Sequence, residues 1–452
     1  MKSPTPYTAA VDRAWQRWPW LMDPRAAWNP TPDNHESLDR YSREAGEGRL
    51  DQRLIRVLAI DGGGVRGLVP STLLEGIEER AGRPISDLFD VFVGTSTGGL
   101  LALGLNVPGE DGPKYSAADI SAVYRENGAR IFHRGKRHRL KTLGGLIGPR
   151  YPVTSLERIL EELFGDTKLS EALRQTSVTT YDTERRTPVA LCSDVHKWAE
   201  PRNPDVLMRH AARATSAAPT YFAPFLLPAV PDGRPGYDFG DRFSVVDGGV
   251  AANNPALWGM YESGVNNDAS SLLLVSLGTG RAKDQFRYET LMRYGTINWL
   301  RPALELLADG ANETTHAQLN YFLNGLWAAP RTQLGGKRIP PSSMETRLRA
   351  GGHDADYDIN VALGGQRTKW TRYLRYQPDL VTASPAMDCV TPRNIAALAA
   401  DARRFWDQHE ADLTELADFL ATMAELRPAR PNPPAWDTWE LGGVSEFAGL
   451  GF

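Results

Sequence analysis

Two apolar runs, Leu54 to Ile60 and Leu88 to Val93, each stop at a cluster of glycines followed by a helix-forming stretch. Strands alternating with helices in this way argue for an α/β fold with a mostly parallel sheet covered by helices on both faces. The second turn reads Gly94-Thr95-Ser96-Thr97-Gly98, a G-x-S-x-G elbow. An apolar strand that feeds a tight turn and then a helix pushes the serine Oγ out at the strand's end, and the glycines keep side chains clear of the bend. Ser96 is therefore the candidate covalent nucleophile, with Gly94 and Gly98 forming its elbow. So short a motif arises by chance in chains of this length; its weight comes from two other glycine motifs.

The rest of the chain fills in the layout. The first strand ends in Asp61, and Leu73, Leu74 and Ile77 lie at helical spacing between Ser71 and Arg80. Thr154-Ser155-Leu156-Glu157 reads as a capping box opening a helix that ends at Gly165. Pro188 to Ser193 and Ser271 to Leu277 read as buried strands. After Arg281 the strand signals thin out, and Thr391-Pro392 starts a helix with an apolar stripe from Ile395 to Met423. This divides the chain into a Trp-rich arm (1–53, with Trp15, Trp18, Trp20 and Trp28), a catalytic α/β domain (54–282), a mainly helical C-terminal extension or cap (283–426) and a Pro/Gly-rich tail (427–452).

Composition removes several classes. With 452 residues, 41% hydrophobic and 23% charged, this is an ordinary globular composition. A net charge of −4 gives no field that draws in a nucleic acid polymer. Cys192 and Cys389 lie far apart without CxxC spacing, so neither a disulfide framework nor a metal site is expected. Met1-Lys2-Ser3-Pro4 is followed by no apolar leader segment, and no run of 18 apolar residues occurs. The expected location is cytoplasmic.

The first glycine cluster, Asp61-Gly62-Gly63-Gly64-Val65-Arg66-Gly67, has two readings. Gly62-x-Gly64-x-x-Gly67 fits a dinucleotide-binding fingerprint, with Asp87 near the distance of a ribose-binding acid, which would make the protein a nucleotide-binding oxidoreductase. Alternatively, consecutive glycines leave backbone N–H groups free to converge on a developing negative charge. The third motif, Val245-Val246-Asp247-Gly248-Gly249, sets an aspartate at a strand's end before a tight turn. A serine nucleophile needs a base, usually histidine, but none of the eight histidines sits in a comparable motif. An aspartate touching the serine serves if burial raises its basicity.

Taken together and in order, Asp61 to Gly67, Gly94 to Gly99 and Asp247-Gly248-Gly249 resemble the patatin-like phospholipases. The resemblance extends to Ala212 to Phe222 and Leu272 to Gly280. It implies a cofactor-free lipid acyl hydrolase with a Ser–Asp dyad. In that scheme Ser96 attacks an ester carbonyl, Asp247 takes its proton, and the Gly62, Gly63 and Gly64 N–H groups hold the oxyanion. Arg66 matches the family's basic residue after the glycines, with loop support as its expected role beside Gly67. Gly249 stands where many members carry alanine. A catalytically silent protein that keeps the fold is the other alternative. Tyr373 to Leu380, Met387-Asp388 and the helix after Thr391 resemble, more loosely, the C-terminal part of bacterial lipases of this type. Some of these are defence effectors switched on by cyclic nucleotides to degrade membrane phospholipid. That resemblance makes a cyclic nucleotide the first small-nucleotide activator to expect, while the helix-rich segment after Arg281 suits a cap or an oligomerisation surface.

One further stretch stands out. Arg130 to Arg150 holds Arg134, Lys136, Arg137 and Arg139 with no acid among them, and the apolar, glycine-rich Gly144 to Gly148 follows these four. A solvated charged loop is one reading; peripheral contact with anionic headgroups at the inner face of a membrane is the other, with the glycine-rich segment dipping into the interface or serving as a lid.

Overall fold

The computed structural model describes residues 54–145, 147–193, 206–227, 243–266, 271–283, 286–320, 323 and 370–425. The Trp-rich arm, the tail from 427 and Leu146 of the glycine-rich segment lie outside the described residues.

Strand β1 (Leu54–Ile60) is the centre of a mixed, mostly parallel sheet. It pairs in parallel with β2 (Val91–Thr95) on one side and, outward on the other, with a strand numbered below as β7. Strand β3 (Gln175–Asp182) continues the parallel run beyond β2, and the hairpin strand β4 (Thr187–Cys192) turns back antiparallel on it. Strands β5 (Phe225–Leu227) and β6 (Phe243–Asp247) are antiparallel additions at that side. On the far side stand β7 (Ser271–Leu277) and β9 (Trp370–Tyr376), both parallel to β1, while β8 (Arg281–Ala282) and β10 (Asp379–Leu380) form a small separate ladder.

Side chains of β1 alternate between two cores, as the pleat demands. Leu58 and Ile60, with Val275 and Leu277, pack against the helices Leu68–Ala81 and Ala117–Ile131 and the two C-terminal helices. Ile55, Val57 and Ala59 turn the other way, onto Ala256 of the helix Ala256–Asn266 and Leu319 of the helix Thr296–Leu319. A third core joins Val178 and Val245 to the helices Thr154–Phe164 and Met208–Thr215. The charged residue inside β1, Arg56, is kept buried by an ion pair to Asp90 with Nε to Oδ2 at 3.0 Å. Helices thus cover both faces, as expected.

Several local expectations change. Leu88 ends a helical turn (Ile85–Leu88) and β2 starts only at Val91. No capping box forms at Thr154: the helix is preceded by Val153 without a side-chain cap, and Glu157 pairs instead with Arg213 at 3.1 Å. Thr391 does cap its helix, accepting from the Asn394 N–H, but the stripe from Ile395 to Met423 belongs to two helices, Pro392–Gln408 and Glu410–Glu425, broken at His409. Strand β4 is exposed at its start rather than buried throughout. Most consequentially, the boundary at 282 separates no independent cap. The segment beyond it supplies β9 to the same sheet, and its helices complete the main core.

Candidate active site

The register of β3 brings the elbow and the Asp turn together. Residues 175–179 of β3 pair with β2 up to Thr95, and residues 180–182 pair with β6, starting at Asp247. Strand β4 spans residues 177–182 of β3 and so takes the opposite edge. Strands β2 and β6 therefore lie end to end along one edge of β3, arriving from opposite directions, and their C-termini meet between Thr179 and Thr180. Ser96 follows one terminus directly and Asp247 is the other.

Ser96 has φ 54° and ψ −121°, a strained backbone for a residue with a Cβ. Glycine is required on either side: a Cβ at Gly94 would strike the Gly98 carbonyl, and one at Gly98 would strike the carbonyl of Ile60. Threonines clamp the bend. Thr215 accepts from the Ser96 N–H at 2.8 Å and donates to the Thr179 carbonyl at 2.7 Å. Thr95 shares a 2.6 Å hydrogen bond with Thr179 and donates to the Ala252 carbonyl at 2.7 Å. This clamp went unnoticed in the sequence, although Thr215 lies inside the Ala212 to Phe222 stretch singled out there.

Asp247 is 4% exposed. Its Oδ1 accepts from the Gly249 N–H at 2.8 Å, and the Ser96 side chain lies close enough to act on it, without a hydrogen bond of ordinary geometry between them. Burial pushes the carboxyl up to about 6, while the nearby Ser96 hydroxyl and the bond from Gly249 hold it from going further. A carboxylate in that range is basic enough to accept a proton near neutral pH yet remains ionised there.

The glycine loop is held from three sides and by one bond of its own. Gly62 donates to the Asn253 carbonyl at 3.1 Å and accepts from Thr279 Oγ1 at 2.8 Å; Val65 donates to the Met387 carbonyl at 2.9 Å, and Arg66 N–H to the Gly63 carbonyl at 3.2 Å. The Gly62 N–H is thus spent inside the protein, which removes it from the three expected donors. Gly63 and Gly64 have no acceptor for theirs among the described residues. Gly64 has φ +60°, and a Cβ there would meet the Met387 backbone, so no other residue fits without strain.

Support of the loop does not come from the Arg66 side chain, which makes no hydrogen bond to it. The guanidinium lines the cavity instead, and its Nε is buried without a partner. The anchoring arginine is Arg375 of β9. It forks onto both oxygens of Asp61, Nη1 to Oδ1 at 2.8 Å with the second bond from Nη2, and Nη1 also reaches Ser276 Oγ at 2.7 Å. Burial alone would drive Asp61 upward and the Arg375 guanidinium pulls it back; the carboxylate in turn holds Arg375 above its ordinary range. Nothing in the local sequence links residues 314 positions apart.

Ser96, Asp247, Gly62 to Gly64 and Gly249 line one cavity of about 250 Å³. Its walls are mainly apolar, with Leu100, Ile131, Phe132, Leu156, Phe222 and Met387 among them, and Glu305, Leu307 and Asp309 of the helix Thr296–Leu319 close one side. Gly67 and Gly248 lie just outside this lining. None of the described histidines lines it, and no group of three His, Cys, Asp or Glu among the described residues is placed to hold a metal. Asp87 stands away from the loop, paired with Arg174 at 2.9 Å, which removes the ribose contact the dinucleotide reading needs.

The basic stretch forms a short helix, Lys136–Lys141, with no buried residue. Lys136, Arg137 and Arg139 are exposed, and Arg134 donates to the Gly144 carbonyl at 3.1 Å. Three apolar side chains stand open beside them: Leu140 (78% exposed), Leu143 (55%) and Ile147 (69%). Arg150, at the end of the stretch, pairs with Asp388 at 3.1 Å, next to the Met387 that holds the glycine loop. No helix among the described residues is long and apolar enough to cross a membrane.

Residues 58–257 match the family model described as patatin-like phospholipase. Patatin-like protein 2 of Arabidopsis thaliana is 31% identical over 320 residues, 64% of this chain and 76% of that protein. Patatin-like protein 1 of Oryza sativa subsp. indica is 32% identical over 270 residues, 55% of this chain and 64% of that protein. Among solved structures, human GIVD cytosolic phospholipase A2 aligns over 88% of this chain and 66% of its own, with 12% identity and a TM-score of 0.35. The nucleotide-binding oxidoreductase reading falls with the family-model match and the Arabidopsis relative: the chain belongs to the patatin-like phospholipase family and is an ester-bond hydrolase.

Proposed function

We propose that this protein hydrolyses carboxylic esters of phospholipids or related acyl lipids through an acyl-enzyme on Ser96. The observation that carries the reading is the buried Asp247 carboxyl, pushed up to about 6 and set beside Ser96 on one apolar cavity by the meeting of β2 and β6 on β3. Asp247 takes the Ser96 hydroxyl proton as Oγ bonds to the ester carbonyl carbon. The carbonyl oxygen becomes an oxyanion facing the Gly63 and Gly64 N–H groups and the N-terminus of the helix Thr97–Gly104. On collapse the C–O bond to the alcohol breaks, and Asp247 returns its proton to the leaving alkoxide. Water then repeats the sequence on the acyl-enzyme, releasing the fatty acid.

The apolar walls suit an acyl chain, and the unpartnered Arg66 guanidinium suits a phosphate. The exposed basic helix with Leu140, Leu143 and Ile147 suits peripheral binding at an anionic lipid surface, where each basic residue adds on the order of 1 kcal/mol. Regulation fits the same picture, because the helix Thr296–Leu319 borders the cavity and its position sets access. A panel of cyclic di- and trinucleotides, assayed against a basal rate, checks for a small-nucleotide trigger of a defence response.

The deciding experiment incubates the protein with mixed phospholipids and identifies products by mass spectrometry, alongside fluorophosphonate labelling. Fatty acid and lysolipid release, with a label on Ser96 that is lost in Ser96→Ala, is the expected result. No label and no product would favour the catalytically silent alternative.

A further inference from the structure

Two opposed charges share the cavity over Ser96. Arg66 enters it from the glycine loop, and Asp309 enters from the helix Thr296–Leu319, with Glu305 four residues earlier on the same helix face. Arg66 and Asp309 act on each other electrostatically, yet no ion pair or hydrogen bond joins them. The Arg66 Nε is buried without a partner. Opposite charges that face one cavity without closing on each other form a fixed dipole, and a ligand with the reverse dipole compensates both ends. A phosphate alone would satisfy Arg66 and be repelled by Asp309. A phosphate followed by an ammonium satisfies both.

We propose that Asp309, flanked by Glu305, is a headgroup-specificity residue that favours zwitterionic phospholipids, whose ammonium group lies beyond the phosphate, over phospholipids with an uncharged polyol headgroup. The inference rests on the lipid-hydrolase reading above. It assigns Asp309 a role in substrate choice and none in the chemical step. A plug role for the helix makes a different prediction, since a plug obstructs all lipids alike.

The test compares dihexanoyl phosphatidylcholine with dihexanoyl phosphatidylglycerol below their critical micelle concentrations. The acyl chains are the same, and without a lipid surface the basic helix does not bias the result. The quantity read is the ratio of the two kcat/KM values on one preparation, in which partial misfolding or a loss of catalytic power cancels. The native protein is expected to favour the choline lipid by roughly tenfold, the scale of one charge-assisted contact in a partly desolvated pocket. Asp309→Asn should bring the ratio close to one, and Asp309→Lys should invert it. An unchanged ratio in both variants, or a common rise on both lipids, overturns the proposal. Failure of the underlying reading looks different: a protein that cleaves p-nitrophenyl butyrate but neither phospholipid is no lipid hydrolase, and the headgroup inference falls with it.

Discussion

Replacing Asp247 with asparagine should abolish turnover and, at neutral pH, make the protein more stable. The carboxyl is buried, and burial moves it from its ordinary 3.8 to about 6. That displacement corresponds to about 3 kcal/mol of differential interaction between its two protonation states. The folded-state value is raised, so the unfolded chain binds fewer protons than the folded one between pH 3.8 and 6. The cost of the charged carboxylate is therefore absent below about pH 3.8, grows as pH rises towards 6, and stays constant above it. Asparagine carries no such cost, but it weakens the bond from the Gly249 N–H, which a charged carboxylate accepts more strongly than an amide, by about 1 kcal/mol. The expected net gain is about 1–3 kcal/mol at pH 7.5, shrinking towards zero or below near pH 4.5. Urea unfolding of both proteins across pH 4.5 to 8 measures it. In parallel, the native kcat/KM should fall about tenfold per pH unit below about 6, as the base becomes protonated. A stability difference that is flat with pH, or an asparagine variant less stable at pH 7.5, would refute a buried ionised Asp247.

Gly63→Val or Gly64→Val should lower kcat by roughly 10²–10³ with little change in KM, the scale for losing one oxyanion donor, as read by steady-state kinetics on a short-chain ester. Neutralising Lys136, Arg137 and Arg139 together should weaken binding to anionic vesicles in a sedimentation assay and flatten its salt dependence, leaving hydrolysis of a soluble ester intact. Arg375→Met strands the Asp61 carboxylate in the core and should cost about 3–5 kcal/mol in denaturant unfolding, with Arg375→Lys recovering part of it.

The parts of the site visible in the sequence are those encoded within a few residues. The elbow around Ser96 and the turn after Asp247 announce themselves because tight backbone geometry demands glycine at fixed spacing. Their meeting was carried by resemblance, since the register of β3 that aligns Thr95 and Asp247 end to end leaves no local trace. The same holds for Thr215, Arg375 and Met387, which reach the site through pairings formed only after folding. Gly62 looked equivalent to its neighbours because a glycine run does not reveal which N–H the protein itself will use. The capping box at Thr154 failed for a related reason: Glu157 had a stronger partner in Arg213, far away in sequence. Strand β9 escaped notice because Trp370 to Tyr376 mixes two arginines and a threonine with its aromatic residues, unlike the apolar interior strands it joins.

The anchoring of the glycine loop from β9 also sets the order in which the enzyme becomes competent during synthesis. A growing chain that has released residues 54–282 already displays both Ser96 and Asp247. It still lacks Arg375 for Asp61 and the Met387 carbonyl for Val65, the two fixtures that hold the loop at Gly63 and Gly64. Domains fold as their residues emerge, so these fixtures arrive roughly 130–140 residues after Asp247. A copy that stops short of β9 therefore carries Ser96 beside a loop held only at Gly62, and full shaping of the loop waits for Arg375 and Met387.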